Sequence, residues 1–236
     1  MIVAALPRSE RAEWMDRADN ATEAVETALR DLRMINRWFG GADTLCAAVR
    51  PYLQLAAPAA TMRVLDVGTG CADLPLALVA DARRRGHRVR VTAIDRDEAA
   101  VRVARRRTNG VAAIDVVRAD VLQLPFRADA FDLVTASLFL HHFRPADVAV
   151  VLRRLLALAG TAVVVNDLRR DRLHWLLVHG VGLVTRRGPM FRHDGPLSVL
   201  RGFTDRELLD AARSAGARSS AVRRFWPFRL VLTAEP

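Results

Sequence analysis

The chain has 236 residues, enough for one domain with an appended segment, and with 51% hydrophobic residues it can bury a full core. Its formal charge of +10 rests on arginine alone, so it reflects residue usage as much as a chosen surface; it admits an acidic ligand or an anionic surface without demanding one. Cys46 and Cys71 form no CxxC pair, which excludes a cysteine metal centre, and the N-terminus meets Pro7 and charge too early for a secretory leader, so a reduced, cytoplasmic setting is expected.

Residues 1–19 are charged and read as a loose arm. From 21 to 39, Val25, Leu29, Leu32, Ile35 and Phe39 recur at helical spacing, and Gly40-Gly41 stops that helix. A second helix is expected over 43–55, interrupted by Pro51. Together 1–59 read as an arm and helical cap. From residue 60 onward strands and helices alternate. Strands are expected at 63–67, 88–94, 113–117, 131–136 and 161–165, with helices at 72–85, 97–107 and 145–159. Thr204 and Glu207 form a capping box for a helix at 204–215, and strands at 217–223 and 228–234 close the chain. This pattern predicts an α/β fold, a Rossmann-like, seven-stranded, mostly parallel sheet with helices on both faces. Residues 167–203 fit no simple repeat and read as an insertion, a lid over the substrate. The longest apolar run, 173–184, is too short to span a bilayer.

The first strand runs into a glycine turn, VLDVGTGCADLP, residues 64–75. Ligands of open parallel sheets sit at the carboxyl ends of the strands. Gly68 and Gly70 allow a tight turn and close approach of a ligand. Asp95 ends the next strand, 25 residues past Gly70, where a carboxylate can accept from both ribose hydroxyls; by itself it could equally cap the following helix. A dinucleotide fingerprint needs Gly or Ala where Asp73 stands, and a carboxylate there repels a pyrophosphate. No Gly-Lys-Ser/Thr follows, so a phosphate loop fails as well. A cationic ligand would instead welcome Asp66 and Asp73.

This segment resembles the first motif of the class I S-adenosylmethionine-dependent methyltransferases, an acidic residue followed by Gly-x-Gly-x-Gly, here Asp66, Gly68, Gly70 and Ala72 in place of the last glycine. The resemblance runs from about residue 60 to the end. It implies S-adenosylmethionine as cofactor, no metal, and cofactor contacts from Asp66, Gly68, Gly70, Asp73, Asp95, Arg96, Asp120, Val121 and Ser137. Asp95 would bind the ribose and Asp120 the adenine amino group, with the Val121 N–H nearby. FDLVTAS, 131–137, matches the strand that floors the pocket.

Methyl transfer requires an aligned nucleophile and, for a hydroxyl, a base. In SLFLHHF, His141 and His142 are the candidate bases, with Asp167 after the fifth strand as a third catalytic candidate. Asn36, Trp38, Asn166, His174 and Trp175 are candidate substrate contacts, with Met34 and Phe39 more suited to packing. The apolar insertion suggests a greasy substrate, aromatic or polyketide-like, while Arg169, Arg170, Arg186 and Arg187 form a rim that is either solvated or faces an anion. The expected reaction is O-methylation of a phenolic or enolic hydroxyl of a small metabolite in secondary metabolism, with C-methylation of a quinone or polyketide ring second. An RNA methyltransferase is the rival that the charge supports, but no Asn/Asp-Pro-Pro-Tyr/Phe motif and no basic, aromatic-interleaved module is present. A non-catalytic, cofactor-binding partner protein and a peripheral membrane contact are lesser alternatives. The substrate, the atom methylated and the oligomeric state are not readable from the residues.

Overall fold

The computed structural model describes residues 6–17, 20–57, 60–184 and 188–236, which places Arg186 and Arg187 outside the described residues. Seven strands form one sheet in the order β3-β2-β1-β4-β5-β7-β6. They are β1 (Thr61–Val67), β2 (Arg88–Asp95), β3 (Ile114–Arg118), β4 (Phe131–Ser137), β5 (Ala159–Leu168), β6 (Ser219–Phe225) and β7 (Arg229–Glu235). All pairings are parallel except those of β7 with β5 and β6. The chain winds outward from β1 to β3, then returns to β4 on the other side of β1. Adjacent crossovers leave in opposite directions there, which opens a crevice at the strand ends.

Alternation along each strand builds two cores. Leu65, Val67, Val134, Ala136, Val163 and Val165 face α5 (Pro145–Leu158) and α8 (Asp205–Ala215), against Val151, Leu155, Leu208 and Ala212. Met62, Val64, Leu133, Ala162 and Val164 face α2 (Gly41–Leu55) and α3 (Asp73–Arg84), against Leu45, Val49, Leu74 and Leu78. The Thr204 capping box is present, with Oγ1 accepting from the Glu207 N–H at 3.3 Å. Two expectations change. Pro51 does not interrupt α2, which continues through it to Leu55. Residues 6–17 of the arm are also docked rather than loose.

That docking is polar and aromatic. Asp194 on α7 (Pro189–Arg201) accepts the Trp14 and Met15 backbone N–H groups at 2.8 and 2.9 Å. The Trp14 ring stacks on His193 with centroids 4.1 Å apart. The Arg8 guanidinium donates to the Arg201 and Phe143 carbonyls at 2.8 and 3.1 Å. The arm then feeds α1 (Thr22–Trp38), which crosses the carboxyl ends of the strands and packs Val25 and Leu29 on Cys71, Ala99 and Ala100. The insertion forms α6 (Arg172–Val184) and α7, stacked on each other beyond β5.

Candidate active-site cavity

A cavity of about 700 Å3 opens at the ends of β1, β2 and β4. Its floor is the glycine turn. Gly68 has φ +67°, and a Cβ there would stand 2.4 Å from the Phe139 ring, so only glycine fits. Gly70 has φ +55° under Leu29 of α1, and its N–H donates to Asp95 Oδ2 at 2.9 Å. Ala72 takes φ +57°, so the residue at the third glycine position adopts a glycine-like conformation with a methyl group in place. The turn is kept open at the cost of about 1–2 kcal/mol of local strain.

The acids of the cavity differ in environment. Asp66 is buried and accepts the Thr135 hydroxyl at 2.8 Å. Its pKa is pushed up to about 7, first by burial and also by the charges of Asp73 and Asp95. Asp95 is raised by burial as well, although the Gly70 and Asp97 N–H groups oppose the shift. Each Asp95 oxygen accepts one of these N–H groups, at 2.9 and 3.0 Å, and keeps acceptor capacity for a ligand. Asp73 accepts from Asn36 Nδ2 at 3.2 Å, and Asn36 Oδ1 accepts from the buried Arg229 at 2.9 Å. Asp120 Oδ1 accepts the Leu122 N–H at 2.9 Å and caps the short turn that begins at Val121. Ser137 Oγ is buried in the cavity wall without a hydrogen-bond partner among the described residues, and Thr69 Oγ1 lies in the same wall beside Asp66.

All nine expected cofactor residues line this cavity: Asp66, Gly68, Gly70, Asp73, Asp95, Arg96, Asp120, Val121 and Ser137. The catalytic candidates divide. His142 lines the cavity, with Nδ1 2.9 Å from Asp16 Oδ1. Burial alone would lower its pKa, but Glu13, Asp16 and Asp167 outweigh that and raise it to about 9. At that value the imidazole holds its proton at neutral pH. His141 is 3% exposed and does not line the cavity. Its Nδ1 lies 2.6 Å from Asp167 Oδ1, and its carbonyl accepts from Arg201. Asp167 is fully buried; burial raises its pKa, but the His141 ring and the Leu168 N–H hold it below the ordinary range. His141 and Asp167 therefore clamp the turn that presents His142 from behind the wall, and neither is a base facing the cavity.

Of the substrate candidates, Asn36 alone reaches the cavity. Asn166 is buried and donates to the Gly41 carbonyl at 3.1 Å. His174 is buried, stacked on Phe228 with centroids 4.8 Å apart, and burial lowers its pKa to about 4. Trp175 stacks on His179. Trp38 is 62% exposed and, like Met34 and Phe39, lies outside the lining. No residue of 167–203 lines the cavity, so the insertion is not its lid among the described residues. The cover comes from Met15, Asp16, Arg17 and Asn20 of the arm and from Val25, Leu29 and Leu32 of α1. The helical spacing of α1 signalled half of that wall. Nothing local signalled the arm, because its anchor, Asp194, lies about 180 residues away.

Residues 64–160 match a protein-family profile described as a methyltransferase domain. A demethylmenaquinone methyltransferase from Clavibacter sepedonicus is 38% identical over 81 residues, which are 34% of this chain and 31% of that protein. The chain thus spans about a third of the length of that curated relative. Among solved structures, a SAM-dependent methyltransferase from Aquifex aeolicus superimposes with a TM-score of 0.61 at 18% identity, over 92% of this chain and 98% of its own. A protein from Nostoc punctiforme, provisionally assigned as an O-methyltransferase, gives 0.65 at 17% identity, over 95% and 64%.

Proposed function

We propose that the chain is a class I S-adenosylmethionine-dependent methyltransferase, a reading supported by its match over 64–160 and by its fold, and that it methylates a small hydrophobic metabolite, most simply at a phenolic or enolic oxygen. One observation carries the reading. A single cavity joins an acid-lined glycine turn to an apolar wall of Met15, Val25, Leu29, Leu32 and Phe143, with the His142 imidazole in the same lining.

The residues present fit the cofactor. Asp95 has acceptor capacity left for ribose hydroxyls, and Asp120 with the Val121 N–H suits the adenine edge. Asp66 and Asp73 offer two carboxyl groups to an ammonium group at the glycine turn. The Ser137 hydroxyl, without a partner among the described residues, offers one more contact. When bound, S-adenosylmethionine supplies an electrophilic methyl group on sulfonium. The protein's own contribution is positioning, worth roughly 7–11 kcal/mol in favourable cases. His142, charged up to about pH 9, stabilises an oxygen anion at the cavity wall. That lowers the pKa of a substrate hydroxyl and favours its ionisation without a resident base. We read 1–59 as the cap of the site and 60–236 as the cofactor-binding domain.

An ionised phenol or enol is nucleophilic at carbon as well as at oxygen. C-methylation of an activated ring is therefore the second reading, favoured by the likeness to a demethylmenaquinone methyltransferase. To decide, the purified chain is incubated with methyl-labelled cofactor and lysate, and label is counted in organic, RNA and protein fractions. Label in the organic extract supports the small-molecule reading, and NMR of the product assigns O or C. Label in RNA overturns it and makes the arginine surface the substrate site.

A further inference from the structure

We propose that the outer face of α6 and the β6–β7 turn dock the protein on an anionic phospholipid surface. The inner face of α6 is accounted for by packing: His174 stacks on Phe228, and Val178 Cγ1 lies where a Cβ on Gly195 of α7 would stand 3.0 Å away. The outer face presents Leu173, Leu176 and Leu177 at 56%, 58% and 45% exposure, spaced i, i+3, i+4 as one apolar stripe. At the same end of the sheet, the turn after β6 exposes Trp226 at 89%. The two features are joined, since the Arg169 N–H donates to the Phe228 carbonyl two residues after Trp226, and Phe228 carries the His174 ring. Leucines in a stripe beside an exposed tryptophan form a patch, unlike scattered surface leucines.

Charge selects the occupant. Arg172 opens α6, Arg223 leads into the turn and Arg37 ends α1, whose following Gly40 lies against the Trp226 carbonyl. None of the three has a carboxylate partner among the described residues, whereas the nearby acids Asp171 and Asp205 are held by Arg169 and Arg224. A second copy of the chain, packed isologously, would set these guanidinium groups against their own kind. An anionic lipid surface takes them and the apolar stripe together: leucine and tryptophan enter the headgroup boundary and arginine pairs with phosphate. This docking does not depend on which acceptor is methylated.

Vesicles of mixed phosphatidylglycerol and phosphatidylcholine, and of phosphatidylcholine alone, are floated with the full chain at low and at about 0.5 M salt. The expected result is salt-sensitive flotation with the anionic vesicles only, together with tryptophan quenching by brominated acyl chains. The double substitution Leu176→Ser/Leu177→Ser and, separately, Trp226→Ala should each lower binding about tenfold. Both replace exposed side chains, so an unchanged melting temperature confirms folding. Failure to float with anionic vesicles overturns the proposal. So does flotation that both variants retain in full, which would be adsorption by arginine alone. A dimer in sedimentation velocity that the double variant converts to monomer would assign the face to self-association instead.

Discussion

At the scale of single residues, Asp95 and Asp16 carry the sharpest consequences. Asp95 holds the glycine turn through the Gly70 N–H and leaves acceptor capacity toward the cavity. Replacing Asp95 with alanine removes the acceptor of the Gly70 and Asp97 N–H groups and the carboxylate proposed for the ribose. A loss of about 3 kcal/mol in S-adenosylhomocysteine binding, roughly a hundredfold in Kd, is expected by calorimetry. Unchanged affinity would remove Asp95 from the site. Asp16 acts through His142. That imidazole is raised above its usual 6.5 to about 9, so it is charged below that value and loses charge as pH climbs through it. In Asp16→Asn one anion beside the ring is gone, and the His142 pKa moves back down. The alkaline limb of kcat/KM should move down with it, with a loss of roughly tenfold at pH 8. An imidazole NMR titration follows the group directly, and a limb that stays in place while the ring titration moves would show that His142 charge is not used.

At the scale of elements, the arm is the part that sequence could not foretell. Its grip is specific: two backbone N–H groups on one carboxylate, and a stacked Trp14–His193 pair. Asp194→Ala strips the two N–H acceptors at once and should free residues 13–17 without unfolding the sheet. Hydrogen exchange of that segment is expected to speed up by about a hundredfold, while the strands keep their protection. Equal exchange in both proteins would mean that stacking alone holds the arm. The legible elements share a cause. β1, α3, β2, α8 and its capping box are each written in local periodicity or a short motif, and the nine residues expected at the cofactor lie at the ends of such elements or in the turns beside them. The less legible features depend on distance. Whether His142 is a base or a cation depends on Glu13 and Asp16 arriving from the far end of the chain. Whether Asn166 and Asp167 face substrate or core depends on α2 and the His141 turn. Pro51 misled because a proline penalty in α2 is overridden by buried Leu45, Val49 and Leu53.

For the whole molecule, these local charges set how stability depends on pH, and the direction follows from linkage. Asp66 has a folded pKa of about 7 against an ordinary value of 3.8. Between those values the native state binds more proton than the unfolded chain, so stability falls as pH rises from about 4 to 7. Above 7 the buried charge costs about 4 kcal/mol. His142, raised to about 9, supplies stability that is complete below 6.5 and lost as pH rises through 9. Asp16, Asp81 and Asp167 are shifted downward, Asp81 to about 2 by Arg50, Arg85 and Arg84, so their contribution is lost toward low pH. His174, lowered by burial to about 4, opposes Asp66 by adding stability as pH rises from about 4 to 6.5, so the ligand-free protein should be most stable on the acidic side of neutrality and lose stability above about pH 6.5 as His142 gives up its charge. A ligand ammonium group at Asp66 reverses one of these terms, because it pairs with the ionised carboxylate and draws its pKa down. The rise in melting temperature caused by S-adenosylhomocysteine should accordingly grow from pH 6 to pH 8, and the stability maximum should move upward with it. Scanning fluorimetry from pH 4.5 to 9, with and without the ligand, measures both curves. In Asp66→Asn the ligand-free protein should gain stability at pH 8, and the ligand-induced shift should become nearly flat with pH. Parallel curves for the wild-type protein would mean that the ligand makes no contact with the Asp66 charge.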